Sequence, residues 1–144
     1  MTKRGRGKLV GIASVSGIRG LPGSEAYGAS KSAVITYNES LRVGLRKTGI
    51  KVQTISPGFV RTPLTSANPY KMPFVLTPDE FAERAVKTID SDASYRTIPW
   101  QMGLLAKAMR IAPNCLWDKI VANRKQKPRL ADKQKAEAEA AQRK

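Results

Sequence analysis

The sequence predicts an α/β fold, a partial doubly wound layer structure of about three parallel strands with flanking helices. Three observations lead there. Apolar runs of strand length alternate with longer helical patterns in the order strand, helix, strand, helix, strand. The first run, Lys8 to Ser14 (KLVGIAS), is nearly continuous in apolar character, as in a parallel strand covered on both faces. Pro57-Gly58 ends the second run abruptly and opens a long loop.

The elements follow in order. After the first strand, residues 15–25 are rich in Gly, Ser and Pro and form a loop. From Ala26 to Lys47 the pattern is helical, with Ala33, Tyr37, Leu41 and Leu45 recurring every fourth residue as the expected core-facing stripe. Gly49 stops this helix. Ile50 to Ser56 is the second strand, with Ile50, Val52 and Thr54 sharing a face. Residues 59–77, broken by Pro63, Pro69 and Pro73, read as irregular loop. Thr77-Pro78-Asp79-Glu80 then starts a helix: Thr77 as N-cap, Pro78 at the first position, and Glu80 three residues after the cap. Tyr95 to Trp100 is the third strand, and Gly103 to Ile111 and Leu116 to Ala122 are helices. Trp100, Leu104, Leu105, Met109 and Trp117 read first as core packing and otherwise as a substrate-pocket wall, a partner interface or a membrane-facing patch. Residues 1–130 make one domain, and residues 131–144 form a basic tail with little apolar surface to bury. Three strands alone leave sheet edges uncovered.

Composition narrows the function. The chain of 144 residues has a net charge of +15 and no His, which excludes Ser-His-Asp and Cys-His catalysis and any His-ligated metal. Cys115 is the single cysteine, so no internal disulfide forms; it is expected as a small buried hydrophobe in a cytoplasmic, reducing setting. No apolar run reaches the roughly 18 residues of a membrane helix, so no integral membrane segment is expected. The excess charge lies at the two ends, and no aromatic residue follows Trp117, so the basic tail lacks a stacking surface for nucleic acid.

The residues able to do chemistry converge on one sheet edge. Tyr27 and Lys31 are four apart at the start of the first helix and share a face. An ammonium beside a phenol favours the phenolate, the basis of a phenolic acid/base. The pair alone is a weak signal, because Tyr-x-x-x-Lys arises readily by chance. Ser14 ends the first strand one loop before Tyr27, which brings two hydroxyls within reach of one carbonyl oxygen. Ser16, Ser24 and Ser30 lie nearby; Ser14 is preferred for its spacing and its Ser-x-x-Gly pattern. Ligands of open α/β sheets bind outside the carboxyl ends of the strands, where Ser14, Tyr27 and Pro57-Gly58 all map.

At IASVSG (12–17), YGASK (27–31) and SPGFVRT (56–62) the chain resembles the C-terminal half of the Rossmann-type domain of the short-chain dehydrogenase/reductase family. The resemblance implies an oxidoreductase that passes hydride between nicotinamide and a small carbonyl or alcohol substrate. Tyr27 would be the acid/base, Lys31 would support it and bind the nicotinamide ribose, and Ser14 would orient the substrate oxygen. Pro57, Gly58, Val60 and Thr62 would hold the nicotinamide end of NAD or NADP; Thr62 also reads as an ordinary turn hydroxyl. The helix after Tyr27 would be a surface for homo-oligomers. No G-x-x-x-G-x-G or G-x-G-x-x-G is found, and the residue that would choose between NAD and NADP is absent with it. Met1 therefore reads as an internal methionine of a longer ancestor. Three readings stand: a truncated enzyme without its Gly-rich cofactor half, a non-catalytic interaction module that pairs with itself or an intact relative, and, last, a basic module that binds nucleic acid or anionic lipid through its ends.

Overall fold

A computed structural model describes residues 1–66, 68 and 71–122. A 3-10 turn at Thr2–Arg4 leads into β1 (Gly7–Ile12), α1 (Glu25–Gly44), β2 (Ile50–Pro57), the single turn α2 (Pro63–Ser66), α3 (Pro78–Asp90), β3 (Tyr95–Ile98), α4 (Trp100–Ile111) and α5 (Asn114–Ala122). The three strands are parallel in the order β1-β2-β3. The fold is the predicted α/β layer structure. The domain limit at residue 130 and the tail 131–144 lie outside the described residues.

β2 is the central strand and is buried on both faces along Val52–Ser56 although it carries Gln53, Thr54 and Ser56. The near-continuous apolar run belongs to β1, and its expected cover on both faces is corrected: β1 is an edge strand among the described residues, with Leu9 and Ile12 exposed. Gly7 pairs with Ile50 and Ile12 with Ile55 on one side, and Thr54 pairs with Tyr95 on the other. Alternate side chains of β2 serve opposite layers. Ile55 joins Leu76, Ala85 and Ile98 in the core under α3, with Val10, Phe81 and Ile89 against it. A fully buried side chain such as Ile55 contributes about 2 kcal/mol. Thr54 and Ser56 face the α1 layer, where Asn38 Nδ2 donates to Thr54 Oγ1 (3.1 Å) and the Tyr95 hydroxyl lies 2.8 Å from Ser56 Oγ.

The sheet also finishes the C-terminus of α3. Lys8 from β1 donates to the carbonyls of Ile89 and Ser91, and Gln53 from β2 donates to that of Ser91 (2.7 Å). These donors meet the unpaired carbonyls of the last turn, and the ammonium complements the helix dipole.

Three packing expectations are corrected. The inward face of α1 holds Gly28 and Asn38, not the Ala33/Tyr37 stripe; Ala33 is exposed and Tyr37 is 65% exposed. The physical reason is Gly11, whose missing side chain admits Asn38 to the sheet. On α4 the buried residues are Met102 and Ala106, while Trp100, Leu104 and Leu105 are exposed. β3 ends the sheet, so α4 rests on one strand and presents its far side outward. Cys115 sits exposed at the start of α5, where Trp117 and Val121 take the inward face. The third strand ends at Ile98, two residues before its predicted end, and α4 begins at Trp100.

Candidate active site

Ser14 is placed by the end of β1. The Ala13 N–H donates to the Ile55 carbonyl (2.8 Å) and extends the ladder by one residue. Ser14 is extended (φ −170°, ψ 155°), caps a 3-10 turn at Val15–Gly17, and accepts the Ser16 N–H on Oγ (3.2 Å). It is buried.

That turn is wedged against α1 by two glycines. A Cβ on Gly17 would lie 2.7 Å from the Lys31 carbonyl carbon and the Ser32 nitrogen, and one on Gly28 would lie 3.1 Å from the Ser16 carbonyl oxygen. The Gly of the Ser-x-x-Gly pattern is therefore a contact surface: its bare backbone lets the Lys31 turn of α1 close onto the end of β1. Lys31 is thereby held at the carboxyl end of β1, with Tyr27 one turn before it on α1. Lys31 Nζ donates to the Ile12 carbonyl (3.2 Å) and sits 5.8 Å from the centroid of the Tyr27 ring. The Tyr27 side chain is half exposed and open to a ligand.

The second group of predicted residues lies at the end of β2. The Gly58 N–H donates to the Ile98 carbonyl (2.8 Å), and a Cβ there would lie 2.7 Å from Met102 Cγ. Val60 forms an isolated parallel bridge with Leu76, flanked by Arg61 N–H to Leu76 carbonyl (2.9 Å) and Leu76 N–H to Phe59 carbonyl (3.0 Å). Thr62 works within its own loop. Its N–H donates to Thr65 Oγ1 (2.9 Å), its hydroxyl is 3.3 Å from the same atom, and its carbonyl accepts from Ser66 (3.0 Å). Thr62 thus has turn contacts within its loop, and Pro57 and Gly58 lie at the same sheet edge as Ser14.

The sequence reading did not single out Arg19. It reaches from the loop after β1 to the end of α4, donating to the carbonyls of Met109 (2.8 Å) and Ala112 and to Asn114 Oδ1 (2.9 Å). Its guanidinium also stacks 5.1 Å from the Trp117 ring centroid, while Trp117 Nε1 donates to the Gly20 carbonyl (3.1 Å). No local signal marks these partners, which lie some ninety residues away.

Ser14, Tyr27 and Lys31 on one edge of a parallel sheet fit what the comparison with family models finds: residues 1–72 match the short chain dehydrogenase model. The chain belongs to the short-chain dehydrogenase/reductase family. An uncharacterized oxidoreductase of Myxococcus xanthus is 42% identical over 118 residues, covering 82% of this chain and 47% of the relative. Another, from Staphylococcus saprophyticus, is 38% identical over 86 residues, covering 60% and 37%. The chain thus spans about half or less of the length of these curated relatives. Among solved structures, a short-chain dehydrogenase from Burkholderia cenocepacia in complex with NADP superposes with a TM-score of 0.68 at 18% identity, covering 83% of this chain and 49% of that one. An actinorhodin polyketide ketoreductase with NADPH gives 0.58 at 26% identity, covering 70% and 49%. Among the described residues of this short-chain dehydrogenase/reductase, no helix is long and apolar enough to cross a membrane.

Proposed function

We propose that this chain carries the catalytic edge of an NAD(P)-dependent oxidoreductase acting on a small carbonyl or alcohol. The observation that carries the reading is the placement of Lys31 Nζ between the Ile12 carbonyl and the Tyr27 ring, beside the turn that Ser14 caps. One ammonium proton is taken by Ile12, and the others are available to ribose hydroxyls. Pro57 and Gly58 end β2 at the same edge, with Gly58 packed closely against Met102. These residues fit the nicotinamide end of a cofactor. Among the described residues there is no cradle for its pyrophosphate: Gly17 is committed to packing on α1, and Gly20 and Gly23 lie in the loop after it. The pyrophosphate end therefore needs groups beyond these. The NADP and NADPH bound by two structural relatives support a nicotinamide cofactor and leave NAD and NADP equally open.

When bound, the nicotinamide supplies or accepts the hydride. The chain's own residues handle the oxygen and its proton. Ser14 Oγ, fixed by the Ser16 N–H, is the group that orients and polarises the substrate oxygen. Tyr27 Oη delivers a proton to that oxygen in reduction and removes it in oxidation. Lys31 holds the ribose and sets its ammonium beside the Tyr27 ring. Titration with NADH and NADPH, followed by nicotinamide fluorescence, tests this. Micromolar binding lost in Lys31→Ala supports it, and no binding at millimolar cofactor overturns it.

A second reading, an interaction module that pairs with itself or an intact relative, is favoured by Tyr37 and Val43, which lie 65% and 54% exposed on α1. Light scattering tests it; a monomer at every concentration would exclude self-pairing.

A further inference from the structure

The end of the sheet opposite Ser14 carries a second concave surface. At the amino ends of β1 and β2 lies an open cleft of about 480 Å³, lined by Arg4, Arg6, Gly7, Lys8, Gly49 and Lys51. Its volume is that of a small-molecule site. Among the described residues, four of its six lining residues are cations and none is an acid.

Two glycines bring these cations together. Gly5 ends the Thr2–Arg4 turn at φ 60°, and its N–H donates to the Thr2 carbonyl (3.1 Å). Gly49 lies against it: φ there is +69°, and a Cβ would sit 2.2 Å from the Gly5 carbonyl oxygen. The bare backbone at Gly49 thus lets the turn that holds Arg4 close onto the start of β2, where Lys51 lies.

The four cations are not equally committed. Lys8 donates to the carbonyls of Ile89 and Ser91, and Lys51 pairs with Asp92. Among the described residues, Arg4 and Arg6 make no side-chain hydrogen bond or ion pair, and both are exposed. With Asp92 set against Lys51, three positive charges remain around the cleft. A single phosphate group brings about −1.5 to −2, so charge balance takes more than one. Arginine suits the task, because its planar fork meets two phosphate oxygens at once. Among the described residues the lining holds no aromatic or aliphatic side chain, so nothing there stacks on a base or enters a lipid layer. This favours a compact ligand held by its phosphate charge over a nucleic acid or a membrane.

We infer that this cleft binds a compact soluble anion carrying two or more phosphate groups. The site stands at the far end of the strands from Ser14 and does not rest on the oxidoreductase reading.

Isothermal titration calorimetry of the full chain tests it, with orthophosphate, pyrophosphate and tripolyphosphate as probes. Tripolyphosphate should bind at least about tenfold more tightly than orthophosphate and weaken as salt is added. Arg4→Ala/Arg6→Ala should lose at least about tenfold of that affinity. Its urea midpoint should stay that of the unaltered chain, since neither side chain has a partner to lose. Arg42→Ala/Lys107→Ala removes the same charge from exposed positions on α1 and α4 and should change affinity by less than about twofold.

No binding, equal affinity for orthophosphate and tripolyphosphate, or equal losses in the two double variants overturns the assignment. A short DNA duplex and phosphatidylserine vesicles are the competing probes. If either binds more tightly than tripolyphosphate and loses that affinity in Arg4→Ala/Arg6→Ala, the cleft is part of a macromolecular surface and the small-ligand assignment fails.

Discussion

Asn38 of α1 occupies the space that a side chain at Gly11 of β1 would fill: a Cβ there would sit 1.8 Å from Asn38 Nδ2. The same amide reaches across to Thr54 Oγ1 on β2. One glycine thus sets how closely α1 approaches the sheet and which residue makes the contact. Gly11→Ala should cost about 2 kcal/mol by overpacking, measured by urea unfolding. In an Asn38→Ala background the same change should be nearly neutral, giving a coupling of at least about 1 kcal/mol. Equal costs in both backgrounds would mean that Asn38 is not the obstacle.

This pair also marks the limit of what the sequence tells. The strands were legible because Lys8–Ser14 is a short apolar run and Ile50–Ser56 sets Ile50 and Val52 on one face between Gly49 and Pro57-Gly58. The start of α3 was legible because Thr77, Pro78 and Glu80 form a purely local device. The register of α1 was not. Its stripe points to Tyr37, but the surface receiving α1 is notched at Gly11, and a polar Asn38 with a hydroxyl partner fits the notch better than a phenol. The placement of Ser14, Tyr27 and Lys31 on one edge followed from topology, since parallel strands end on the same side. The cause of their closeness, Gly17 and Gly28 against α1, depends on a tertiary approach that no local pattern encodes.

Arg19 should be worth more than a surface arginine. It satisfies carbonyls at the end of α4, where cations are favoured, and covers the Trp117 ring. Arg19→Ala is expected to cost about 2 kcal/mol and to speed amide exchange in α5 more than in β2. Arg19→Lys should recover little, because an ammonium cannot fork between Met109, Ala112 and Asn114. Full recovery by lysine would reduce the contact to simple charge.

The start of α3 gives a pH-dependent prediction. The Glu80 carboxylate accepts the Thr77 N–H (2.8 Å) and hydroxyl (3.1 Å). The Thr77 backbone hydrogen bond, then the side-chain one, hold its carboxyl below the ordinary glutamate range, with smaller attractions from Arg84 and Arg61. A carboxyl lowered by folding stabilises the fold above the ordinary range and loses that contribution as pH falls through its lowered value. The stability gap between the unaltered chain and Glu80→Ala should therefore be largest near about pH 6 and shrink towards about pH 3. Thr77→Ala should cost about 1 kcal/mol at neutral pH. A Glu80→Ala gap that does not change with pH would show that the ionised state contributes nothing.

Comparing substitutions at Tyr27 and Ser14 separates chemistry from architecture. Tyr27 is half exposed, so Tyr27→Phe removes a hydroxyl with little effect on packing. Stability should stay within about 0.5 kcal/mol, while turnover with a bound cofactor should fall by at least about a hundredfold. Ser14 is buried and its Oγ holds the Ser16 N–H, so Ser14→Ala removes a cap as well as the hydroxyl proposed to orient the substrate oxygen. It should lower turnover and also cost about 1 kcal/mol in urea unfolding. Cofactor affinity should barely change in either variant but fall in Lys31→Ala, because only Lys31 is assigned to the ribose. If Tyr27→Phe keeps full turnover, the proton passes through another group and Tyr27 is no more than a wall of the site. If Ser14→Ala loses stability alone, the serine is structural and the substrate oxygen is oriented by Tyr27 alone.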